Sequence, residues 1–342
     1  MSLMLQEIAQ QPDVLEGIAA VNASALARLK NHLVDRQIDL IVLVARGSSD
    51  NAALFGRYLL ELTTGIPVSL AAPSVVTLYD VELRLRNALV IGVSQSGQGS
   101  DINFVLESAG KSGALTLAFT NDADSKIVEV ADESFLIHAG PEVSVAATKT
   151  YTGQMMLFYL IAESLGAKPF EYRQITDFAH QALELSDEIR ELAERYVFME
   201  NCVVLGRGLN YGNAFELGLK LMETCYVVAE RFSSADFQHG PLALIERRFP
   251  VILYSPQGVT RPGDMELLDT LSSLHADTLV ITNDVGIARA SSRAINLCDK
   301  IPELLTPIPF IIPAQLFAAH LSQAKGLDAD KPRTIRKVTQ TL

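Results

Sequence analysis

The chain has 342 residues, a length that predicts two domains of about 100–200 residues each. It is 49% hydrophobic and 20% charged, a globular composition that excludes a long disordered or low-complexity chain. Asp and Glu total 40 against 28 Lys and Arg, for a formal net charge of −12 with no run of basic residues, which argues against nucleic acid as a partner.

Taken in chain order, residues 1–25 form an N-terminal helical segment, and the helical pattern covers 13–35. A buried strand follows over 39–45, ended by Arg46-Gly47-Ser48-Ser49, then a helix over 50–63. Short apolar runs near 67–70, 88–94, 114–120 and 134–138 predict further strands, with helices over 101–112 and 146–165. Such runs lack polar alternation, so the strands are covered on both faces, and strand–helix alternation predicts a parallel sheet in a three-layer α/β sandwich. Residues 175–196 read as a solvated linker helix, with Glu184, Glu188, Glu191 and Glu194 on polar positions.

The pattern then repeats. Arg46-Gly47 after Ile41-Val42-Leu43-Val44 returns 161 residues later as Arg207-Gly208 after Val203-Val204-Leu205. Ser94-Gln95-Ser96-Gly97 returns as Ser255-Pro256-Gln257-Gly258 at the same spacing of 161, and Gln154 returns as Gln315. Thr120-Asn121-Asp122 returns as Thr282-Asn283-Asp284 at a spacing of 162. The chain is therefore divided into a first domain over 26–174, a linker over 175–196, a second domain over 197–326 and a tail over 327–342.

Cys202, Cys225 and Cys298 have no paired spacing, which excludes a disulfide scaffold and a CxxC zinc site and fits a reducing cytosol. The six histidines form no HExxH-type metal pattern. No segment reaches about 18 consecutive apolar residues, and the start Met1-Ser2-Leu3-Met4-Leu5-Gln6-Glu7 lacks the basic region of a secretory signal. The expectation is a cytoplasmic protein that does not engage a membrane.

In open parallel sheets, ligands bind beyond the carboxyl ends of the strands. Two loops of the first copy fall there: Gly47-Ser48-Ser49-Asp50-Asn51 and Ser94-Gln95-Ser96-Gly97-Gln98-Gly99-Ser100-Asp101. Free amides at a helix start together with serine hydroxyls hold an anion such as phosphate. Serine and glycine are also ordinary turn and cap residues, so one such loop alone is even-handed evidence. Two at adjacent strand ends favour a phosphate or phosphosugar. In the second copy Pro256 removes a backbone donor and the second serine is lost, which makes a poorer phosphate site. Gly206-Arg207-Gly208-Leu209-Asn210-Tyr211-Gly212 is one residue too long for the dinucleotide fingerprint, so NAD is not expected.

A helix over 212–225 carries Glu216, Lys220 and Glu223 on one face. Spacing alone favours a solvated ion-pair ladder, yet the flanking Phe215, Leu217, Leu219, Leu221 and Met222 point to burial. His239 follows in Asp236-Phe237-Gln238-His239-Gly240-Pro241, where Gly-Pro stiffens the loop.

The ordered set Gln6-Glu7-Ile8, Arg46-Gly47-Ser48-Ser49, Ser94-Gln95-Ser96-Gly97, Glu142-Val143-Ser144-Val145-Ala146-Ala147-Thr148-Lys149, Leu219-Lys220-Leu221-Met222-Glu223, His239-Gly240-Pro241-Leu242 and Asp330-Lys331-Pro332-Arg333 with Lys337 resembles the double sugar-isomerase (SIS) family. Within that family it is most similar to the isomerase half of glucosamine-6-phosphate synthase and its stand-alone relatives. The resemblance covers nearly the whole chain. It implies two tandem flavodoxin-like α/β/α domains with parallel sheets and a C-terminal tail, assembled as a homodimer. It places a phosphosugar in the first copy, with Ser49, Ser94, Gln95 and Ser96 on the phosphate and Val145, Ala146 and Ala147 along the sugar. By the same resemblance Glu223 is the base between sugar C1 and C2, with Lys220 beside it. His239 is the ring-opening histidine, supplied to the neighbouring subunit, and Lys337 reaches the region of the anomeric carbon. The chain departs from the family where Gly99 replaces a phosphate-binding threonine, with Ser100 one residue later as its substitute, and where Ala147 replaces a serine.

The synthase also needs a glutaminase domain with a cysteine nucleophile at its first position. No cysteine precedes Cys202, so no ammonia from glutamine is expected of this chain. The favoured chemistry is deamination of glucosamine 6-phosphate to fructose 6-phosphate and ammonia, with no metal or organic cofactor. The alternatives are a phosphosugar aldose–ketose isomerase or a deglycase on a related 6-phospho-amino sugar, and a phosphosugar-sensing protein without turnover. A sugar-phosphate effector in the weakened second copy or at the dimer interface is a further expectation.

Overall fold

The computed structural model describes residues 2–337. Three helices open the chain: α1 (Leu3–Ala9), α2 (Gln11–Val21) and α3 (Ala23–Leu33). The predicted helix over 13–35 is thus broken at Asn22. Its side-chain amide donates to the Ile18 carbonyl and its Oδ1 accepts from the Leu136 amide, so this side chain does work that a mid-helix residue could not.

The first sheet contains β1 (Leu40–Ala45), β2 (Val68–Leu70), β3 (Ala88–Val93), β4 (Leu115–Thr120) and β5 (Glu133–Leu136). Its order is β2-β1-β3-β4-β5, and every pairing is parallel. The connecting helices are α4 (Ser48–Thr64), α5 (Pro73–Thr77), α6 (Ser100–Lys111) and α7 (Lys126–Val130), and α8 (Lys149–Ser164) follows β5. One core layer joins Val42, Val44 and Val90 of the strands to Ile102, Leu106 and Ile127 of the helices. Side chains of this size contribute about 1.5–3 kcal/mol each when fully buried. Every residue of α8 from Lys149 to Ala162 is buried, which is why its sequence shows no polar stripe.

The second sheet contains β6 (Asn201–Gly206), β7 (Val228–Ser233), β8 (Pro250–Tyr254), β9 (Asp277–Thr282) and β10 (Arg293–Asn296). The order β10-β9-β8-β6-β7 is the same topology read from the other edge, again all parallel. The helices from α9 onward are α9 (Tyr172–Leu183), α10 (Ser186–Glu194), α11 (Tyr211–Cys225), α12 (Arg261–Ser273), α13 (Val285–Ala290) and α14 (Pro307–Ala324). The sequence-predicted linker helix is two helices, and α10 buries Ile189 and Ala193 while packing on α14.

These elements form two compact units that interleave along the chain. One holds residues 13–142 and 149–172, with Arg336 and Lys337; the other holds 1–12, 143–148 and 173–335. Hydrogen bonds explain the membership of 143–148. Glu7 of α1 accepts from the amides of Val143 and Ser144, and Gln315 of α14 donates to the Thr148 carbonyl and accepts from Gln11. The same unit caps α1 with Asp330, whose carboxylate accepts from the Leu3 and Met4 amides at 2.8 Å.

Candidate functional site

In the first sheet β1 and β3 are neighbours whose connections run to opposite sides, so the loops after them flank the switch point where such sheets bind ligands. Both loops lead directly into helices. Gly47 turns the first with φ +57, a conformation that costs a side-chain-bearing residue about 1 kcal/mol or more, and α4 starts at Ser48. In the second, the Ser94 and Ser96 hydroxyls accept from the amides of Gly97 (3.1 Å) and Gln98 (3.4 Å), and α6 starts at Ser100. Asn103 donates to the Gly97 carbonyl at 3.1 Å, which pins the loop from inside the helix. Arg46 and the buried Asp101 join the two loops by an ion pair of 2.7 Å. Gln154 of α8 donates to the Ser49 hydroxyl at 2.9 Å. Ser48, Ser49, Ser94, Gln95, Ser96 and Ser100 therefore lie together at the carboxyl ends of β1 and β3.

The same unit holds Lys337. Its ammonium lies 2.6 Å from a carboxylate oxygen of Glu142, whose side chain is fully buried. That carboxylate also accepts from Thr150 through its amide (3.0 Å) and its hydroxyl (2.7 Å), at the start of α8. Sequence reasoning assigns no role to Glu142. A signal exists: Pro141-Glu142 returns 161 residues later as Pro302-Glu303, in step with the repeat.

The sugar-lining candidates Val145, Ala146 and Ala147 precede α8 rather than starting it, in the segment that belongs to the other unit. In that unit α11 carries the acid–base candidates. Lys220 is 1% exposed and bridges Glu216 at 3.3 Å and Glu223 at 2.7 Å. Burial by itself disfavours the Lys220 ammonium, but the two carboxylates outweigh it and hold its pKa above the usual lysine value. Glu216 is fully buried, whereas the Glu223 side chain is 22% exposed. The ladder is therefore an internal one, and Glu223 is its member open to a ligand. His239 is exposed at the end of a short 3-10 turn, Asp236–His239, just before Gly240.

The second copy's version of the serine loop is closed on itself. The Gln257 amide donates to Asn283 at 2.7 Å, the Val259 amide donates to Glu303 at 3.2 Å, and the Ser255 hydroxyl donates to the buried Asp264 at 3.0 Å. Pro256 has no amide hydrogen to offer. Burial raises the Asp264 pKa, and hydrogen bonds from Ser255 and Ser234, with Arg207 nearby, oppose the rise. The repeated Pro-Glu carboxylate thus holds the tail lysine in the first copy and fills the loop in the second. No cluster of three or more His, Cys, Asp or Glu placed to hold a metal occurs among the described residues. No helix among them is long and apolar enough to cross a membrane.

Two parallel sheets of one topology, each with ligand-type loops at its strand ends, define a duplicated sugar-isomerase-type protein. Residues 36–164 and 199–323 each match the SIS domain, and the chain belongs to that family. The glutamine–fructose-6-phosphate aminotransferase (isomerizing) of Pyrococcus horikoshii is 34% identical, over 98% of this chain and 57% of the relative. The chain thus spans little more than half the length of the curated relatives it matches. Among solved structures, the C-terminal domain of glucosamine-fructose-6-phosphate aminotransferase from Francisella tularensis superposes with a TM-score of 0.86 at 26% identity, covering 97% of this chain and 98% of that one. A glucosamine-6-phosphate deaminase from Thermotoga maritima shares the fold, with a TM-score of 0.77 at 20% identity over 99% of this chain and 100% of that one.

Proposed function

We propose that this protein is a SIS-type glucosamine-6-phosphate deaminase, converting glucosamine 6-phosphate and water to fructose 6-phosphate and ammonia. The observation that carries the reading is the α11 ladder, in which a buried lysine is shared by a buried glutamate and the partly exposed Glu223. Ser49, Ser94, Gln95 and Ser96, with Ser48 and Ser100, bind the phosphate through hydroxyls and helix-start amides. Val145, Ala146 and Ala147 line the sugar. His239, exposed on its loop and contributed to the neighbouring subunit of a homodimer, assists ring opening. Glu223 takes the proton from C2 of the open-chain amino aldehyde, giving the enolamine, and a proton is returned at C1. The product is a ketose imine, which water hydrolyses to the ketone with loss of ammonia. Lys220 and Lys337 offset the negative charge that develops on the oxygen at C1. Acid–base help of this kind is worth about 10²–10⁴-fold per group.

The second reading is an aldose–ketose isomerisation by the same residues, in which no nitrogen leaves; it is supported by relatives named as isomerizing aminotransferases. An assay for ammonia release separates the two, using glucosamine 6-phosphate with galactosamine 6-phosphate and fructose 6-phosphate alongside. Ammonia from glucosamine 6-phosphate, lost in Glu223→Gln with substrate binding retained, is the expected result. No ammonia from either amino sugar overturns the deaminase reading. An undiminished rate in Glu223→Gln overturns the assignment of the base.

A further inference from the structure

At the opposite end of the second sheet, where its strands begin, lies a cleft of about 590 Å³ lined by Phe198, Arg248, His275, Asp277, Ser292 and Arg293. That volume is within the range of about 300–1,000 Å³ seen for small-molecule sites. None of the residues discussed above for sugar phosphate belongs to it.

Two of its walls stand on left-handed backbone. Arg248 has φ +66 and His275 has φ +57, and the Arg248 amide donates to the His275 carbonyl at 2.7 Å. His275 follows the end of α12, where its amide bonds the Ser272 carbonyl and the next amide, of Ala276, bonds the Leu271 carbonyl. This is the helix stop that favours glycine in the left-handed position. The first copy makes the same stop after α6 with Gly113 at φ +86, its amide on Gly110 and the Ala114 amide on Ala109. The second copy therefore keeps the turn and carries a histidine where the backbone prefers glycine. Strain of this sort persists where the side chain has a use.

The fold itself makes no use of it. Neither the Arg248 nor the His275 side chain forms a hydrogen bond or ion pair among the described residues, and both residues are exposed. Arg293, by contrast, is paired with Asp277 and lies 5.6 Å over the Tyr196 ring. Phe198 also stacks with Tyr196, 6.1 Å away with 22° between the planes, yet remains 61% exposed. In a chain of net charge −12, the cleft thus presents an unpaired guanidinium, an imidazole and a bare flat ring.

The geometry points to a second ligand site here, for a phosphate ester carrying a flat ring, of the nucleoside monophosphate class. Arg248 and His275 hold the phosphate, and Phe198 stacks on the base. The site does not depend on the reaction proposed above.

The test is titration of the full chain with adenosine 5′-monophosphate, followed by calorimetry and by ligand-observed NMR. Saturable binding is expected, weakened about tenfold or more in Arg248→Ala and His275→Gly and unchanged in Ser96→Ala. His275→Gly should also raise Tm, because glycine suits the left-handed stop, so the loss of binding cannot come from misfolding. Absence of saturable binding overturns the proposal. So does binding that survives both cleft variants, or binding that Ser96→Ala removes, which would place the nucleotide in the serine loops.

Discussion

The Lys220 ammonium lies 2.7 Å from Glu223 and 3.3 Å from Glu216 on the same helix, with 1% of the lysine side chain exposed. One cation is thus shared by two carboxylates, one sealed in the interior and one facing outward. Removing the cation takes from the buried Glu216 the ammonium 3.3 Å away. Lys220→Met is expected to destabilise the fold by about 3–5 kcal/mol, read from urea unfolding. Glu223→Gln should cost much less, because Glu216 still pairs with the lysine.

Glu142 fixes the position of Lys337, and its own position is fixed by Thr150. Glu142→Gln keeps an oxygen for Thr150 but loses the charge that holds the ammonium. Ammonia release from glucosamine 6-phosphate is expected to fall about 10²-fold, the scale of a misplaced reacting group. Lys337→Met should fall by a similar factor, and the double variant by no more than the worse single one. Additive losses would show that the two residues act separately.

With the second copy's loop amides taken by Asn283 and Glu303, each chain should bind a single sugar phosphate. Calorimetry on Glu223→Gln with glucosamine 6-phosphate checks the count. Adding Ser96→Ala should abolish the binding, and adding Ser255→Ala should leave it unchanged. A second binding event per chain would support an effector role for the second copy.

His320 of α14 bonds the Ser186 hydroxyl through Nε2 at 3.1 Å. Burial lowers its pKa below the usual 6.5, and Arg190 nearby lowers it further. The folded state therefore favours the neutral ring. As pH falls through about 6.5 the unfolded chain takes up this proton first, so stability drops on the acid side and is fully present above that value. Unfolding midpoints at pH 7.5 and 5.5 should differ more in the parent than in His320→Gln.

Much of this was legible in the residues themselves. Apolar runs without alternation mark strands covered on both faces, and their alternation with helices marks parallel sheets. The spacing of 161 between Arg46-Gly47 and Arg207-Gly208 records the duplication directly. Helix starts at Ser48 and Ser100 follow from glycine and serine chemistry that acts within a few residues.

Three features were decided only in three dimensions. Spacing alone favoured a solvated α11 ladder while its apolar flanks pointed to burial; packing of α11 against α14 and the second sheet decided for burial. The helix expected over 146–165 begins at Lys149, because the Thr150 amide, which a helix from 146 would turn back on the Ala146 carbonyl, is given to the Glu142 carboxylate instead. Glu142 and Glu303 occupy the same place in the repeat, yet one holds Lys337 and the other closes a loop. Local sequence sets backbone preference and the sign of a charge. Which donor meets a buried carboxylate depends on segments far apart in the chain, brought together because an unpaired polar group in the interior is costly.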